Sequence, residues 1–259
     1  MGPPGNRRAP VHAVVTTGAA ELRPDPARPR GWTLLVDGVP QSYVDLDDPE
    51  HLEFGYVRLL GRVVRLWAAG RVRPRVLHLG GGGLTLPRLL DHLLPGAAQR
   101  VIERDADLVA LVRRFLPAPP SIEITVADAS DEIHQRADAY DLILADVFAG
   151  AAMPAAVGSA AFAAAAARAL RPGGLLAMNL TDVPPLAHTR IQAATTLTAF
   201  ADVALLGDSA VIRGRRAGNA ILLTGDIPMV RMAKHERAVR GADLAEFIGG
   251  AKPRLDEPA

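Results

Sequence analysis

The chain has 259 residues, of which 49% are hydrophobic and 22% are charged, so it can bury a substantial core and should form one main domain with an appendage. Its net charge of +1 argues against a nucleic-acid or membrane partner, since such partners usually require a concentrated basic surface. The absence of cysteine excludes disulfides, thiolate metal sites and cysteine nucleophiles from this chain. No apolar run is long enough for a signal-peptide core or a membrane span, which predicts a cytoplasmic protein.

The first part of the chain is predicted to form an appendage. Residues 1–30 are rich in Pro, Gly and Arg, which predicts a flexible N-terminal segment. Asp37-Gly38 then separates two apolar runs and predicts a β-hairpin, because a two-residue type I′ turn needs positive φ at both positions. Asp48 and Pro49 follow as an N-cap and a first-turn proline, which predicts that an amphipathic helix begins there.

Beyond residue 70, short apolar runs alternate with helical periods, a pattern typical of βαβ units and a parallel sheet. The predicted strands are 76–79, 100–103, 122–126, 140–145, 174–180 and 203–206. The predicted helices are 84–94, 106–116, 130–137, 155–170 and 185–200. Residues 211–213 and 220–225 are expected to pair as an antiparallel hairpin. We therefore assign 31–70 to a small hairpin-and-helix subdomain and 71–259 to the main domain.

A run of four glycines, Gly80 to Gly83, lies between the first strand of the main domain and its first helix. A nucleotide-binding loop requires this context. Gly80 and Gly82 satisfy the first two positions of the dinucleotide fingerprint, but Thr85 occupies the third. The alternative interpretation is a tight structural turn.

Three consecutive predicted strands finish in a carboxylate, namely Glu103, Asp128 and Asp146. Glu103 lies about 20 residues beyond the loop, where an acidic side chain can accept hydrogen bonds from ribose hydroxyls. Each acid could instead be a solvated strand end or a helix N-cap, and Asp128 is the strongest N-cap candidate. Together they favour a ligand site. An acid after the third strand suits an adenosyl sulfonium ligand better than a nicotinamide dinucleotide, because it can accept from the adenine amino group.

Other polar features have structural interpretations. His78 lies inside a strand and is predicted to be a hydrogen-bonded core histidine rather than a catalyst. The basic turn 213–219 is interpreted as a solvated hairpin tip, with binding of a carboxylate or phosphate as the alternative. The stretch 182–185 is interpreted as a rigid turn, with a place in an acceptor pocket as the alternative. The seven histidines show no metal-ligand spacing, so we predict no metal.

The order VLHLGGGG, VIERDADLVALVRRFLP, VADASD, YDLILADVFAG and LRPGGLLAMNL resembles the spermidine synthase (polyamine aminopropyltransferase) family. The N-terminal LLVDGVPQSYVDLDDPEHLEFGYVRLL is similar to that family's strand, turn, glutamine and tyrosine-containing helix, so the resemblance covers about Trp32 to Gly225. It implies an α/β fold of the class I methyltransferase or Rossmann-like type, with a doubly wound, mostly parallel seven-stranded sheet. It also implies a homodimer that functions in polyamine biosynthesis.

The resemblance implies roles for individual residues. Gln41 and Glu103 would bind the tail and ribose of S-adenosylmethionine or its decarboxylated form, and Asp128 would bind the adenine. Asp146 matches the catalytic aspartate, which accepts a proton from the attacking amine or orients it. The complete set of predicted ligand-binding residues is Gln41, Tyr56, Gly80, Gly81, Gly82, Glu103, Arg104, Asp128, Ala129 and Asp146.

The sequence also departs from the family pattern. Gly83 and Leu84 replace an Asp-Gly pair in the loop, Ala149 replaces a second aspartate, and Val57 and Arg58 follow the helix tyrosine where the family has His or Gln and then Glu. A diamine needs several carboxylates to replace its hydration, so we expect an amine-type acceptor other than putrescine. Methyl transfer from S-adenosylmethionine is one alternative function, and a non-catalytic nucleoside-binding protein of the same fold is another.

Overall fold

The computed structural model describes residues 8–148 and 153–255. These residues form two β-sheets and eight α-helices. No helix in the described ranges is long and apolar enough to cross a membrane.

The first sheet is an antiparallel meander of four strands. Its strands are β1 (Val11–Val15), β2 (Gly18–Pro24), β3 (Gly31–Val36) and β4 (Val39–Asp45). Asp37 and Gly38 have φ of 49° and 77°, so the predicted hairpin turn is confirmed. Residues 11–24, which we expected to be flexible, form β1 and β2 because Ala20 and Leu22 pack into a buried apolar cluster. The proposed division of the chain into domains stays a prediction.

Helix α1 (Gly55–Ala68) begins later than the sequence predicts. Asp45 uses one carboxylate oxygen to accept hydrogen bonds from the backbone N–H groups of Asp47 and Asp48, which turns the chain after β4. Asp48 itself contacts Arg28 instead of capping a helix. The predicted start at Asp48 is therefore wrong, because a side-chain turn competes for the same residue.

The second sheet has eight strands in the order β12-β10-β11-β9-β8-β5-β6-β7. Its strands are β5 (Arg75–Leu79), β6 (Ala98–Glu103), β7 (Ile122–Val126), β8 (Tyr140–Ala145), β9 (Leu170–Asp182), β10 (Val203–Asp208), β11 (Gly218–Gly225) and β12 (Glu236–Arg240). The neighbouring pairs β9-β8, β8-β5, β5-β6 and β6-β7 are parallel. The pairs β12-β10, β10-β11 and β11-β9 are antiparallel. The mostly parallel α/β sheet is confirmed, with eight strands where seven were expected.

Seven further helices cover or border this sheet. They are α2 (Thr85–Leu93), α3 (Ala106–Phe115), α4 (Ala129–His134), α5 (Ala160–Ala169), α6 (Ala187–Thr196), α7 (Ser209–Ile212) and α8 (Ala242–Ile248). The predicted hairpin of 211–213 with 220–225 is wrong. Asp208 accepts a hydrogen bond from the N–H of Ala210 and caps α7, and β11 pairs instead with β9 and β10.

Both faces of the sheet are buried. Along β9, Leu176, Met178 and Leu180 pack toward α4, α5, α6 and α8, whereas Leu175 and Ala177 pack toward α1 and α2. Alternate residues of a strand point to opposite faces, so a strand covered on both sides reads as a continuous apolar run. This explains why the strands of the main domain carry strong sequence signals.

Asp105 connects the first sheet to the main domain. Its carboxylate caps α3 through the N–H of Leu108 and also accepts hydrogen bonds from the N–H groups of Thr16 and Thr17 and from the Thr17 hydroxyl. The side chain is only 1% exposed. Burial opposes ionisation, but these hydrogen bonds outweigh it and hold the pKa of Asp105 below its ordinary value.

We expect Asp105→Ala to lower the free energy of unfolding at neutral pH by about 1–2 kcal/mol, the range for a lost N-cap. A depressed carboxyl pKa stabilises the fold only while the group is ionised. The difference in unfolding free energy between wild type and variant should therefore shrink as the pH falls. The decrease should begin near the pKa of an aspartate in the unfolded chain, about 3.9, and continue through the lower pKa of Asp105 in the folded protein. Thermal denaturation across this range measures it. Asp107→Ala is the matched control, because exposed Asp107 accepts from the Thr16 hydroxyl and from no other side chain in the described part of the chain. Equal losses in both variants would contradict the assignment.

Candidate active site

A cavity of about 550 Å³ lies at the carboxyl ends of the parallel strands, where β3 and β4 of the first sheet form part of its wall. In open α/β sheets, ligands bind at this edge. Every residue predicted to bind ligand lines the cavity, namely Gln41, Tyr56, Gly80, Gly81, Gly82, Glu103, Arg104, Asp128, Ala129 and Asp146. The fold therefore brings these residues together, while their individual roles stay predictions.

The glycine loop between β5 and α2 depends on left-handed backbone conformations. Gly80 and Gly82 have φ of 90° and 47°, which glycine adopts with little strain. A Cβ atom at Gly80 would also collide with the backbone carbonyl oxygen of Asp146, so only glycine allows the ends of β5 and β8 to approach this closely. The N–H of Gly83 donates to the hydroxyl of Ser42 at 2.7 Å, which fixes the loop to β4.

Glu103, at the end of β6, is bound to this loop. One carboxylate oxygen accepts from the N–H of Gly81 at 2.9 Å and from the N–H of Gly82 at 3.5 Å, and the other accepts from the N–H of Asp105 at 3.1 Å. A carboxylate offers about four lone-pair sites, so further hydrogen bonds remain possible. The structure thus gives Glu103 a loop-holding role that sequence reasoning did not predict.

Asp128 is an N-cap, as one of the sequence interpretations expected. Its Oδ1 atom accepts from the N–H of Ser130 at 2.8 Å at the start of α4, and the side chain is exposed. Arg104 is exposed beside it at the cavity wall, and Ala129 is buried. Gln41 makes one long hydrogen bond, 3.4 Å, to the carbonyl oxygen of Val39. The groups on this side of the cavity therefore retain capacity for a ligand.

Asp146 follows β8 and is held from two sides. Its Oδ1 atom accepts from Asn179 Nδ2 at 2.8 Å, and its Oδ2 atom lies 3.4 Å from the hydroxyl of Tyr56 on α1. Burial raises the pKa of Asp146, although the hydrogen bonds from Asn179 and Tyr56 oppose this change. Burial and the neighbouring carboxylate raise the pKa of Tyr56, which keeps its hydroxyl protonated as a donor. Asn179 and Tyr56 thus hold the Asp146 carboxylate in position, and its Oδ2 atom has only the long contact with Tyr56 among the described residues.

Asn179, Thr181 and Asn219 also line the cavity and were not predicted as site residues. Asn219 Nδ2 donates to Asn179 Oδ1 at 3.0 Å and to Thr181 Oγ1 at 2.8 Å. These contacts extend the Asp146 network from β9 to the antiparallel strand β11. A buried asparagine within the apolar run LLAMNL was the sequence signal that could have identified Asn179.

His78 is a structural residue, as its position within β5 predicted. It is 2% exposed, and its Nε2 atom lies 2.8 Å from Gln99 Oε1, while Gln99 Nε2 donates to the carbonyl oxygen of Pro87. Burial lowers the pKa of His78 to about 4, so the imidazole is neutral at physiological pH. Its ring packs at the cavity wall without carrying charge.

Two predictions from the sequence, concerning Ala149 and the use of a metal, are not tested by the described residues. Ala149, which replaces the second aspartate of the family motif, falls outside the described residues. Within residues 8–148 and 153–255, no group of three or more His, Asp or Glu side chains is arranged to hold a metal ion. That the protein uses no metal stays a prediction.

Comparison with known proteins gives a similar curated sequence and similar solved structures. A polyamine aminopropyltransferase from Chromobacterium violaceum is 31% identical over 142 residues, which make up 54% of this chain and 53% of that protein. This chain therefore spans about half the length of the curated relative that it matches. No protein-family model matches the sequence.

A crystal structure of a probable spermidine synthase from Corynebacterium glutamicum is similar over nearly the whole chain. Its TM-score is 0.89 at 28% identity, with 97% of this chain and 98% of that chain covered. This chain is thus similar in sequence and fold to a probable spermidine synthase. The resemblance inferred from the glycine loop and the strand-end acids is thereby confirmed.

More distant structures share the fold of this chain. A spermidine synthase in complex with the transition state analogue AdoDATO has a TM-score of 0.61 at 18% identity, covering 85% of this chain and 72% of that one. Human methyltransferase-like protein 13 in complex with SAH has a TM-score of 0.51 at 20% identity, covering 76% of this chain and 91% of that one. At these identities the similarity concerns the fold, and the predicted methyltransferase-like architecture is confirmed.

Proposed function

We propose that this spermidine synthase-like protein is a transferase that moves an alkyl group from an adenosyl sulfonium donor to an amine-type acceptor. The observation that carries the proposal is the common cavity, in which the glycine loop with its partner Glu103 lies on one side and the Asp146 network on the other. The names of two similar proteins, a polyamine aminopropyltransferase and a probable spermidine synthase, support the same class of reaction.

The donor is proposed to bind on the Glu103 side of the cavity. The closely packed backbone at Gly80 and Gly82 leaves no side chain between the loop and a nucleoside. Glu103 has capacity left to accept from a ribose hydroxyl. Asp128 Oδ2 accepts no hydrogen bond from the described residues, so it can accept from an adenine amino group. Decarboxylated S-adenosylmethionine and S-adenosylmethionine both present these groups.

The acceptor is proposed to bind beside Asp146. The amine nitrogen attacks the carbon next to sulfur; the new C–N bond forms as the C–S bond breaks, and the thioether leaves as a neutral molecule. Asp146 takes the proton that the nitrogen must lose, while Asn179 and Tyr56 hold the carboxylate in place. Fixing both reactants in one cavity supplies the proximity that such a displacement requires.

Titration of the purified protein with three nucleosides tests the proposal. We expect decarboxylated S-adenosylmethionine and methylthioadenosine, the thioether product of aminopropyl transfer, to bind more tightly than intact S-adenosylmethionine. Preference for the intact donor would instead support methyl transfer on the same scaffold. Absence of binding by all three compounds would refute the nucleoside site, and hence the proposed reaction. Isothermal calorimetry gives these affinities without requiring knowledge of the acceptor.

The assembly and location of the protein are part of the same proposal. We propose a homodimer, as the resemblance implies, and we propose that it acts in the cytoplasm. Light scattering coupled to size-exclusion chromatography measures the assembly state directly.

A further inference from the structure

We propose that the acceptor carries a single amine and, in place of a second amine, a neutral polar group such as a hydroxyl or a primary amide. This inference rests on the proposed function and specifies the substrate class of the same site. It follows from the orientation of the amide groups beyond Asp146 and from the distribution of charge along the cavity wall.

The Asp146 carboxylate orients the neighbouring amides. An ionised carboxylate only accepts hydrogen bonds, so Asn179 must direct its NH₂ group to Asp146 Oδ1. The carbonyl oxygen of Asn179 then receives a hydrogen bond from the NH₂ group of Asn219, whose second contact is the hydroxyl oxygen of Thr181. Asn179 is 1% exposed, which holds this arrangement within the protein.

The end of this network offers neutral groups to a ligand. Asn219 Oδ1 makes no hydrogen bond with the described residues, and the Thr181 hydroxyl accepts from Asn219 and keeps its proton to donate. Both side chains line the cavity, and Asn219 is half-buried. Asn219 Oδ1 can accept a hydrogen bond from a ligand, and the neighbouring Thr181 hydroxyl can donate one. A hydroxyl or a primary amide on the substrate matches this arrangement, because each can both donate and accept.

The acidic residues of the cavity wall other than Asp146 make their contacts away from the amide network. Among the described lining residues the acids are Asp37, Glu103, Asp128 and Asp146. Asp37 accepts from the N–H of Ala19, Glu103 holds the glycine loop, and Asp128 caps α4. Asp146 is thus the one described lining acid that contacts the amide network, and the sequence places only Ala and Gly at 149–152.

A second ammonium group would be poorly compensated at this position. Removing an ammonium from water is costly unless it is paired with an opposite charge, and amide and hydroxyl oxygens supply only dipoles. A neutral hydroxyl or amide loses far less hydration and gains the same two hydrogen bonds. The cavity therefore favours amines with a neutral polar end over diamines of the same length.

A panel of acceptors with the same four-carbon spacing tests this inference. The compounds are 4-amino-1-butanol, 4-aminobutanamide, putrescine, n-butylamine and 4-aminobutanoate, each assayed with decarboxylated S-adenosylmethionine by mass spectrometry of the product. We expect kcat/KM to be at least about tenfold higher for the alcohol or the amide than for the other three. Calorimetric titration of the same amines into protein saturated with methylthioadenosine should give the same order.

Variants with an added carboxylate should weaken the preference for the neutral acceptor. Thr181→Asp places a negative charge at an exposed position beside Asn219, and we expect the preference for the alcohol over putrescine to fall at least about tenfold. Thr198→Asp, an exposed position outside the cavity lining, is the matched control and should leave the preference unchanged. Asn219→Asp provides a second variant with the same expected direction.

Each outcome distinguishes the inference from the function on which it rests. Transfer with putrescine or 4-aminobutanoate preferred would overturn the inference and leave the proposed function standing. Equal use of n-butylamine, the alcohol and the amide would also overturn it, because the neutral polar group would then not be recognised. Donor binding without transfer to any amine would count against the proposed function and remove this inference with it.

Discussion

Asp146→Asn should lower the turnover number by roughly 10²–10⁴-fold, the usual contribution of a positioned acid or base. An aliphatic amine has a pKa near about 10 and is mostly protonated at neutral pH, so it must lose a proton before it attacks carbon. Asp146 is the carboxylate held by Asn179 and Tyr56 beside the glycine loop, and the asparagine variant removes its capacity to take that proton.

The substitution should leave the structure of the cavity intact. The carbonyl oxygen of the new side chain can still accept from Asn179, and its NH₂ group can donate to the Tyr56 hydroxyl oxygen, so residue 146 can keep both of its contacts. Methylthioadenosine affinity should therefore change little, which calorimetry checks. Asp141→Asn, at the opposite end of β8 and outside the cavity lining, is the matched control and should retain normal turnover.

The pH dependence provides a second readout of Asp146. The carboxylate accepts a proton only when it is ionised, and its pKa is raised by burial. The rate should therefore rise with pH through a value above the ordinary carboxyl pKa of about 3.9, and this limb should be absent from the variant. The limb that reports deprotonation of the amine should persist in both proteins. Unchanged turnover in Asp146→Asn would rule out a base at this position and favour methyl transfer to a neutral nucleophile.

Sequence patterns identified those elements whose signals are local. Strands 122–126 and 140–145 have the predicted bounds, because each is a short apolar run bordered by turn residues. The glycine loop and the acids that follow β6, β7 and β8 also fall at one edge of the sheet as expected, since parallel strands end on the same side.

Elements that depend on competing local interactions were predicted less well. At Asp48 the side-chain turn made by Asp45 delays the helix to Gly55. At 211–213 the β-branched residues suggested a strand, but the cap supplied by Asp208 begins a short helix. In both places one carboxylate determines the backbone path, and propensity alone does not show which backbone N–H it will bind.

The polar half of the site required the tertiary fold. Asn179 and Asn219 are 40 residues apart and meet because β11 pairs antiparallel with β9, in a register that aligns Asn219 with Thr181. The sequence pattern had instead predicted a hairpin for β11 with 211–213. A wrong strand partner thus concealed the amide network, although both asparagines are visible in the sequence.

Glu103→Ala should weaken nucleoside binding by about 1.5–3 kcal/mol, which corresponds to roughly a 10- to 100-fold increase in Kd. Two physical causes contribute to this effect. The variant loses the lone pairs proposed to bind the ribose hydroxyls, and it leaves the N–H groups of Gly81 and Asp105 without their carboxylate partner. Glu123→Ala, on the neighbouring strand β7 and outside the cavity lining, is the matched control and should bind normally.

Ligands that lack one ribose hydroxyl separate the two causes. If Glu103 binds the ribose directly, the 2′-deoxy or 3′-deoxy analogue of methylthioadenosine should bind less tightly than the parent compound to the wild type, but equally well to Glu103→Ala. If Glu103 only holds the glycine loop, removing the ribose hydroxyl should weaken binding by the same factor in the wild type and in Glu103→Ala. The substitution would then lower the affinity for the parent compound and for the deoxy analogue equally. We expect the penalty to disappear in the variant, because the hydrogen bonds from Gly81, Gly82 and Asp105 leave about one of the carboxylate's roughly four lone-pair sites free for a ribose hydroxyl. A penalty that persists in full would assign Glu103 to the loop alone and leave the ribose to be bound by other groups of the cavity.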